Sequence, residues 1–135
     1  MYIIIIGCGR LGSMLAEELS DAGHDISIVD RDSKKFTILG SGFNGRTIRG
    51  IEFDNDILVE AGIKQTDFIV SVTSDDNINI TVSLIAKKIF NVPRIIARIN
   101  DPGKKSIYEM LEIETVNLTE LGAYILKSRI EEIPV

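Results

Sequence analysis

The chain has 135 residues and a formal net charge of −5, and this length is typical of one domain. We therefore expect a single domain over residues 1–135. The basic residues are scattered, which argues against nucleic acid as the main partner. One cysteine excludes a disulfide within the chain and favours a reducing, cytoplasmic compartment. We see no signal-peptide pattern and no apolar run of about 18 residues, so we expect no membrane-spanning segment.

The first 30 residues combine two apolar strands with a glycine-rich turn. Tyr2 to Ile6 is a short β-branched run, typical of a buried strand, and a helical apolar pattern starts at Leu11. A second strand ends at Asp30, which lies 18 positions after the last glycine of a G-x-G-x-x-G motif. Cys8 either fills this turn with a small side chain or is a reactive thiol. The residues of the motif are Gly7, Cys8, Gly9, Arg10, Leu11 and Gly12.

This arrangement predicts a nucleotide site. Gly7 permits the tight turn, Gly9 lets phosphate oxygens approach the backbone, and Gly12 lets the helix pack close to the sheet. The helix N-terminus favours an anion, and Asp30 can accept hydrogen bonds from a ribose. Arg10 is either a phosphate ligand or a solvated surface arginine. In the alternative interpretation, the glycines serve only close packing between strand and helix.

Strand and helix patterns alternate through the rest of the chain. We expect helices at 32–39, 56–61, about 78–89, 104–111 and 120–130, and strands at 46–49, 68–73, 94–99 and 115–118. Such alternation predicts an α/β fold with a Rossmann-like, doubly wound, six-stranded parallel sheet and a C-terminal helix. The expected strand order is 3-2-1-4-5-6, with the ligand at the carboxyl ends of strands 1 and 4.

Polar residues at the end of the fourth strand are expected to face the glycine turn across this crevice. They are Thr73, Ser74, Asp75, Asp76 and Asn79. The alternative is that Ser74 or Asp75 only caps the following helix.

The chain resembles the N-terminal nucleotide-binding half of the RCK (regulator of K⁺ conductance) domains, also called TrkA-N, of the Trk- and Ktr-type regulatory subunits of bacterial potassium uptake. The resemblance extends from Tyr2 to about Ile130. The segments that carry it are Gly7 to Gly12, Val29-Asp30, Leu58 to Ile63, Asp67 to Thr73, Asp76 with Asn79, and Ile96 to Ile99.

The resemblance implies a regulatory role rather than catalysis. It implies that NAD(H) or ATP/ADP binds as a signal, and that homodimers or larger rings sit on the inner face of the cell membrane against a membrane-embedded K⁺ transporter. The C-terminal regulatory half of the family is expected to be absent. The chain is therefore either a domain that works with a separate regulatory chain or a fragment.

The resemblance also assigns residues. By position, Gly7, Gly9, Arg10 and Gly12 hold phosphates, Asp30 holds the ribose, Thr73, Asp76 and Asn79 form the opposite wall, Arg98 matches the family's strand-5 arginine, and Glu120 matches an acidic position near an associated cation. Glu120 is thus a candidate metal ligand.

One departure from the family concerns the adenine. Where the family usually has Gly-Asp near the base, this chain has Gly50-Ile51. The resemblance thus places Gly50 and Ile51 at the base, where backbone contacts are open to them but a side-chain carboxylate is expected to be missing. Arg31 could stack on the base or tolerate a 2′-phosphate, but Asp30 would repel that phosphate, which favours NAD or ATP/ADP over NADP.

The last helix has apolar residues on more than one face, which predicts dimerisation through this helix. Its alternative role is to cover the domain's own sheet. The apolar residues are Leu121, Ala123, Tyr124, Ile125, Leu126, Ile130 and Ile133.

Two other functions remain open. The domain could be the cofactor half of an NAD-dependent oxidoreductase, although its one histidine, His24, is expected at the end of the sheet opposite the ligand. It could also be a nucleotide sensor that acts on a protein outside transport.

Overall fold

The computed structural model describes residues 1–131, so Ile133 lies outside the described residues. The six strands are β1 (Tyr2–Ile6), β2 (Asp25–Asp30), β3 (Arg46–Arg49), β4 (Phe68–Ser71), β5 (Arg94–Arg98) and β6 (Glu114–Val116). The α-helices are α1 (Arg10–Asp21), α2 (Asn55–Glu60), α3 (Asp76–Lys88), α4 (Lys105–Met110) and α5 (Leu118–Ile130). Short 3₁₀ helices occupy Ser33–Ile38 and Pro102–Lys104. Over residues 1–131, none of the helices combines the length and the apolar character that a membrane span requires.

All six strands pair in parallel, in the order β3-β2-β1-β4-β5-β6, which confirms the predicted doubly wound sheet. The winding reverses between β1 and β4, where Ile6 lies beside Ser71. Because both strands end at the same edge, the segments that follow them face each other across the switch point.

Alternate residues of β1 enter the two halves of the core. Ile4 and Ile6 pack with residues of α2 and α3, and Ile3 and Ile5 pack on the side of α1. All four side chains are buried, as expected for a central strand of a sheet that is covered on both faces.

The fourth strand is shorter than predicted. It ends at Ser71 rather than Thr73, because the Thr73 N–H donates to Oδ1 of Asn79 at 3.0 Å and so turns away from the sheet. The predicted helix at 32–39 is a 3₁₀ helix, with Asp32 accepting from the Lys34 N–H.

The last two elements also differ from their predicted bounds. β6 ends at Val116 because Asn117 caps α5: its Oδ1 accepts from the Glu120 N–H at 2.8 Å. Helix α5 therefore begins two residues before Glu120. In α3 the predicted apolar stripe stops short, since Ile89 lies beyond the helix and is exposed.

Candidate functional site

A cavity of about 550 Å³ opens at the carboxyl ends of β1, β2 and β4. Its position is the crevice that a doubly wound sheet offers to ligands. Its lining residues come from several segments: Gly7, Gly9, Arg10, Leu11, Asp30, Arg31, Lys35, Glu52, Val72, Thr73, Ser74, Asp75, Ile78, Arg98 and Leu118.

The three glycines of the turn are needed for three different reasons. Gly7 has φ +105°, and its N–H donates to the carbonyl of Val29 at 2.8 Å. A Cβ on Gly12 would lie 1.8 Å from the Gly7 carbonyl oxygen, so α1 can approach the turn only with glycine there. A Cβ on Gly9 would meet nothing within 4 Å. Gly9 therefore leaves open space at the cavity rather than allowing close packing.

Helix α1 begins at this open space. Gly9 is its N-cap residue, no side chain accepts a hydrogen bond from its first turn, and that turn contains no acidic residue. Gly9, Arg10 and Leu11 line the cavity. Unpaired N–H groups and the positive end of the helix dipole make this a favourable place for an anion.

Asp30 lies at the end of β2 and is 3% exposed. Its Oδ2 accepts from the Cys8 N–H and its Oδ1 from the Asp32 N–H, both at 2.9 Å. The carboxylate thus ties the glycine turn to the segment after β2. It also lines the cavity, where its remaining lone pairs can accept hydrogen bonds.

Three charged residues of the cavity lining surround this carboxylate: Arg31, Lys35 and Glu52. Of these, the sequence predicted only Arg31 as a site residue. Lys35 Nζ lies 3.8 Å from Asp30 Oδ2. The carboxylate of Glu52, which is buried in the turn after β3, accepts hydrogen bonds from the guanidinium and from the backbone N–H of Arg31. Glu52, one residue after Ile51, thus brings a carboxylate to the cavity lining.

The opposite wall of the cavity contains Thr73, Ser74 and Asp75. Asp75 caps α3, since its Oδ1 accepts from the N–H groups of Asn77 at 2.8 Å and Ile78 at 3.3 Å. The Asp75 side chain thus satisfies two N–H groups in the first turn of α3, in contrast to the uncapped first turn of α1.

Asp76 and Asn79 are not among the residues that line the cavity. The Asp76 carboxylate accepts from the backbone N–H groups of Asn100 at 2.7 Å and Asp101 at 2.9 Å. Burial raises its pKa, but these bonds and one from the Asn100 side chain outweigh burial, so that the pKa lies below its ordinary value of 3.8. Asp76 holds the turn after β5 in place.

Asn79 is fully buried and supports the wall from behind. Its Oδ1 accepts from the Ser71 hydroxyl and from the N–H and hydroxyl of Thr73, at 3.0, 3.0 and 2.7 Å. Its amide donates to the carbonyls of Thr73 and Arg98. The side chain thus joins the ends of β4 and β5 and fixes Thr73 at the cavity.

Five further predicted residues lie outside the cavity lining: Cys8, Gly12, Gly50, Ile51 and Glu120. Cys8 is buried, and burial together with the nearby Asp30 raises the pKa of its thiol to about 11, so the thiol is protonated near neutral pH. Gly50 packs against Ile57, and Ile51 is exposed. Glu120 is exposed at the first turn of α5, and residues 1–131 contain no cluster of acidic, histidine or cysteine side chains suited to a metal ion.

A second, apolar groove of about 390 Å³ lies on the α1 side of the sheet. It is lined mainly by β1, β4, α1 and the start of α5, including Phe68, Val70 and Leu121. Helix α5 itself is largely exposed, with Tyr124, Leu126 and Ile130 open to solvent. The domain therefore leaves apolar surface on both the groove and the helix.

Residues 3–118 match the family described as the TrkA-N domain. A Trk system potassium uptake protein TrkA of Streptomyces coelicolor is 46% identical over 116 residues, which are 86% of this chain and 52% of that protein. A TrkA homologue of Pyrococcus abyssi is 37% identical over 109 residues, 81% of this chain and 48% of that protein. The chain thus spans about half the length of these curated relatives.

Solved structures of similar fold include the GsuK RCK domain, at a TM-score of 0.80 and 26% identity over 97% of this chain and 28% of that one. The crystal structure of GsuK bound to ADP has a TM-score of 0.79 and 26% identity, over 97% of this chain and 34% of that one. Because the family match covers most of the sequence and the fold agrees with it, the chain belongs to the TrkA-N domain family.

Proposed function

We propose that this domain binds an adenine nucleotide, NAD(H) or ATP/ADP, as a regulatory signal for a membrane potassium transporter. The observation that carries the proposal is the meeting of the uncapped α1 N-terminus and the Asp30 carboxylate in one cavity. The first can hold a diphosphate and the second a ribose. Support also comes from the ADP bound to GsuK and from the potassium-uptake names of the relatives.

The proposed contacts follow the cavity wall. The phosphates lie against Gly7, Gly9 and Arg10, with Gly12 allowing the close approach of α1. The ribose hydroxyls donate to Asp30. On the far side, Thr73, Ser74 and Arg98 of the cavity lining face the ligand. Asp76 and Asn79 act indirectly, by holding this wall.

Calorimetric titration of the purified domain with ADP, ATP, NAD and NADH, each with and without Mg²⁺, tests the proposal. We expect micromolar binding of at least one nucleotide and no turnover of it. A matched titration of Gly9→Val, which removes the open space, serves as the negative control. Failure of all four nucleotides to bind the folded domain would contradict the proposal.

The same experiment addresses the oxidoreductase alternative. Hydride transfer needs an acid–base group beside the cofactor. Within residues 1–131 the cavity lining includes no histidine, and His24 bonds the N-terminal amine through Nδ1, before β2 and thus at the other end of the sheet. Oxidation of NADH by a candidate substrate would favour the enzyme over the sensor.

For assembly, we propose that the partner of the apolar groove is α5 of a second copy, which gives a homodimer as the unit of a larger ring. The groove continues directly into Leu118 and Leu121 of α5, and the same helix exposes Leu126 and Ile130 beyond it. Reciprocal exchange would bury both apolar surfaces of each copy.

Light scattering on Leu126→Glu combined with Ile130→Glu tests this dimer. Both side chains are exposed within the single domain, so charges there leave its own core intact. We expect a dimer for the wild type and a monomer for the double variant. A matched Met14→Glu variant, which changes an exposed apolar residue of α1, is the control. A dimer that survives the double variant would exclude α5 as the interface.

A role in potassium transport requires a partner protein in the membrane. The domain would sit on the cytoplasmic face of the membrane through a membrane-embedded subunit of a potassium-uptake system, the kind of system named for its relatives. Co-purification with the transporter subunit, made stronger or weaker by the bound nucleotide, is the test. Equal co-purification with and without nucleotide would contradict the regulatory role of the nucleotide, and no co-purification would favour a sensor for a non-transport partner.

A further inference from the structure

Arg31 and Glu52 both line the cavity beside Asp30, yet neither has a part in the proposed contacts to phosphate or ribose. Oε1 of Glu52 accepts from Nε of Arg31 at 2.8 Å and lies 2.8 Å from its Nη2. Oε2 accepts from the Arg31 backbone N–H at 3.0 Å. The Glu52 side chain is 3% exposed and that of Arg31 is 46% exposed. A buried carboxylate is thus directed entirely at the residue that follows Asp30.

The charges at this end of the cavity are matched in pairs. Arg31 is neutralised by Glu52, and Lys35 Nζ lies 3.8 Å from Oδ2 of Asp30. Two carboxylates therefore face two cations around the position proposed for the ribose. A phosphate group that arrived here would find both cations already partnered.

Hydroxyl groups and a phosphate group make opposite demands on such a site. Hydroxyls need acceptors, and Asp30 uses two of about four lone-pair positions for the Cys8 and Asp32 N–H groups, which leaves two for a ligand. A phosphate monoester carries about −1.5 to −2 charges near neutral pH and needs a free guanidinium or ammonium group. Arg31 could supply that guanidinium only if it left Glu52.

We propose that Glu52 is a specificity residue: by holding Arg31, it makes the cavity select nucleotides with free ribose hydroxyls over those with a 2′-phosphate. The inference rests on the proposed nucleotide site and adds to it the residue that decides between two ligand classes. Asp30 repels the 2′-phosphate directly, and Glu52 withholds the cation that would compensate for that repulsion.

The test is the ratio of NADPH to NADH dissociation constants, measured by calorimetry on the wild type and on Glu52→Gln. The glutamine keeps the size and one oxygen acceptor but removes the charge that holds the guanidinium. We expect the wild type to prefer NADH and the variant to lower the ratio about tenfold or more, because charge-assisted bonds to phosphate become available.

Two further variants separate specificity from general charge effects. Glu109→Gln removes the same charge from an exposed position on α4 and should leave the ratio unchanged. Arg31→Ala added to Glu52→Gln should restore the preference for NADH, since the freed guanidinium is then gone. If Glu52→Gln does not fold, Glu52→Met takes its place: it removes the charge that holds Arg31 with a side chain of similar length, and the ratio should fall in the same way. An unchanged ratio in that folded variant would overturn the role of Glu52.

The outcomes distinguish the two proposals. NADH binding with the same ratio in wild type and Glu52→Gln overturns the role of Glu52 but leaves the nucleotide site standing. Absence of NADH, NADPH and ADP binding to the folded wild type overturns the proposed function and the specificity role together. A ratio that falls equally in Glu109→Gln would mean that net charge alone governs the preference, which also overturns the inference.

Discussion

Two of the helices that begin beside the cavity, α1 and α3, differ in how the N–H groups of their first turns are satisfied. Helix α1 starts at Gly9 with no side-chain cap and no acidic residue, and Arg10 follows. Helix α3 starts at Asp75, whose carboxylate accepts from Asn77 and Ile78, and its first turn contains a second acid. Both helices follow adjacent parallel strands at the switch point, so their dipoles are available to the same crevice. Only α1 leaves its N–H groups and its positive end open to an anionic ligand.

A helix N-terminus can bind phosphate only when no side chain of the protein already caps its first N–H groups. On α3 the chain has supplied its own anion, and Asp76 beside it adds further negative charge. This side of the cavity is therefore suited to neutral or hydrogen-bonding parts of the ligand, through Thr73 and Ser74.

The largest effect is expected from closing the open turn of α1. Gly9→Val places a branched side chain in the space where the phosphates would lie, while φ −83° at this residue is accessible to valine. We expect at least a 100-fold loss of ADP affinity, or about 2.7 kcal/mol, by calorimetry. The thermal unfolding midpoint should stay close to that of the wild type. Full ADP affinity in a folded variant would mean that the ligand does not bind at the N-terminus of α1.

Removing the ribose acceptor should have the next largest effect. Asp30→Ala should weaken nucleotide binding about tenfold or more, because a hydrogen bond to a charged group contributes about 1.5–3 kcal/mol. The substitution also deprives the Cys8 N–H of its acceptor, so binding must be measured below the lowered unfolding temperature. Asp30→Asn, which keeps one oxygen, is the matched control and should lose less stability. Unchanged affinity in Asp30→Ala would exclude this carboxylate from the site.

On the α3 side, the effect should be on stability and should depend on pH. Because the pKa of Asp76 in the folded protein lies below 3.8, the carboxylate contributes stability that is fully present above pH 3.8 and is lost as the pH falls through its folded value. Asp76→Asn should lower the free energy of unfolding at pH 7 by about 1–3 kcal/mol. Denaturant unfolding from pH 7 to 2 should show a flatter acid decline for the variant. If the free energy of unfolding declined equally with pH in both proteins, Asp76 would not contribute to acid stability.

The smallest effect is expected from uncapping α3. Asp75→Ala should cost about 1 kcal/mol of unfolding free energy, as loss of an N-cap usually does, with nucleotide affinity changed less than about threefold. Paired denaturant and calorimetric measurements give both numbers. A large gain in affinity would show that the α3 N-terminus binds anions once its cap is removed, and a large loss would make Asp75 a ligand contact.

The sequence predicted the fold well because periodic apolar patterns decide it. The β-branched run of β1, the helical spacing after Leu11 and the strict alternation of elements leave few ways to bury both faces of a parallel sheet. The strand order is confirmed, and the errors concern the ends of elements and the type of the helix at 32–39, which is a 3₁₀ helix. The end of β4 depended on the side chain of Asn79, a contact that no local pattern reports.

The candidate site was less predictable from the sequence, because the direction of each side chain decides whether it lines the cavity. Asp75 and Asp76 are adjacent, yet one lines the cavity and the other turns to the loop after β5, because only one of them can be the N-cap residue. Glu52 lies in an irregular turn 22 positions after Asp30 and enters the cavity wall through its contact with Arg31. No periodicity could indicate that contact. An acidic residue close to the expected Gly-Asp position was the one available signal.

The most direct test of the central claim is a ¹H–¹⁵N correlation spectrum of the domain titrated with ADP. We expect the amide signals of residues 9–12, at the open turn of α1, to shift strongly and together, while those of Asn77 and Ile78, already bonded to Asp75, shift little. Shifts concentrated at the start of α3, with residues 9–12 unaffected, would contradict that claim.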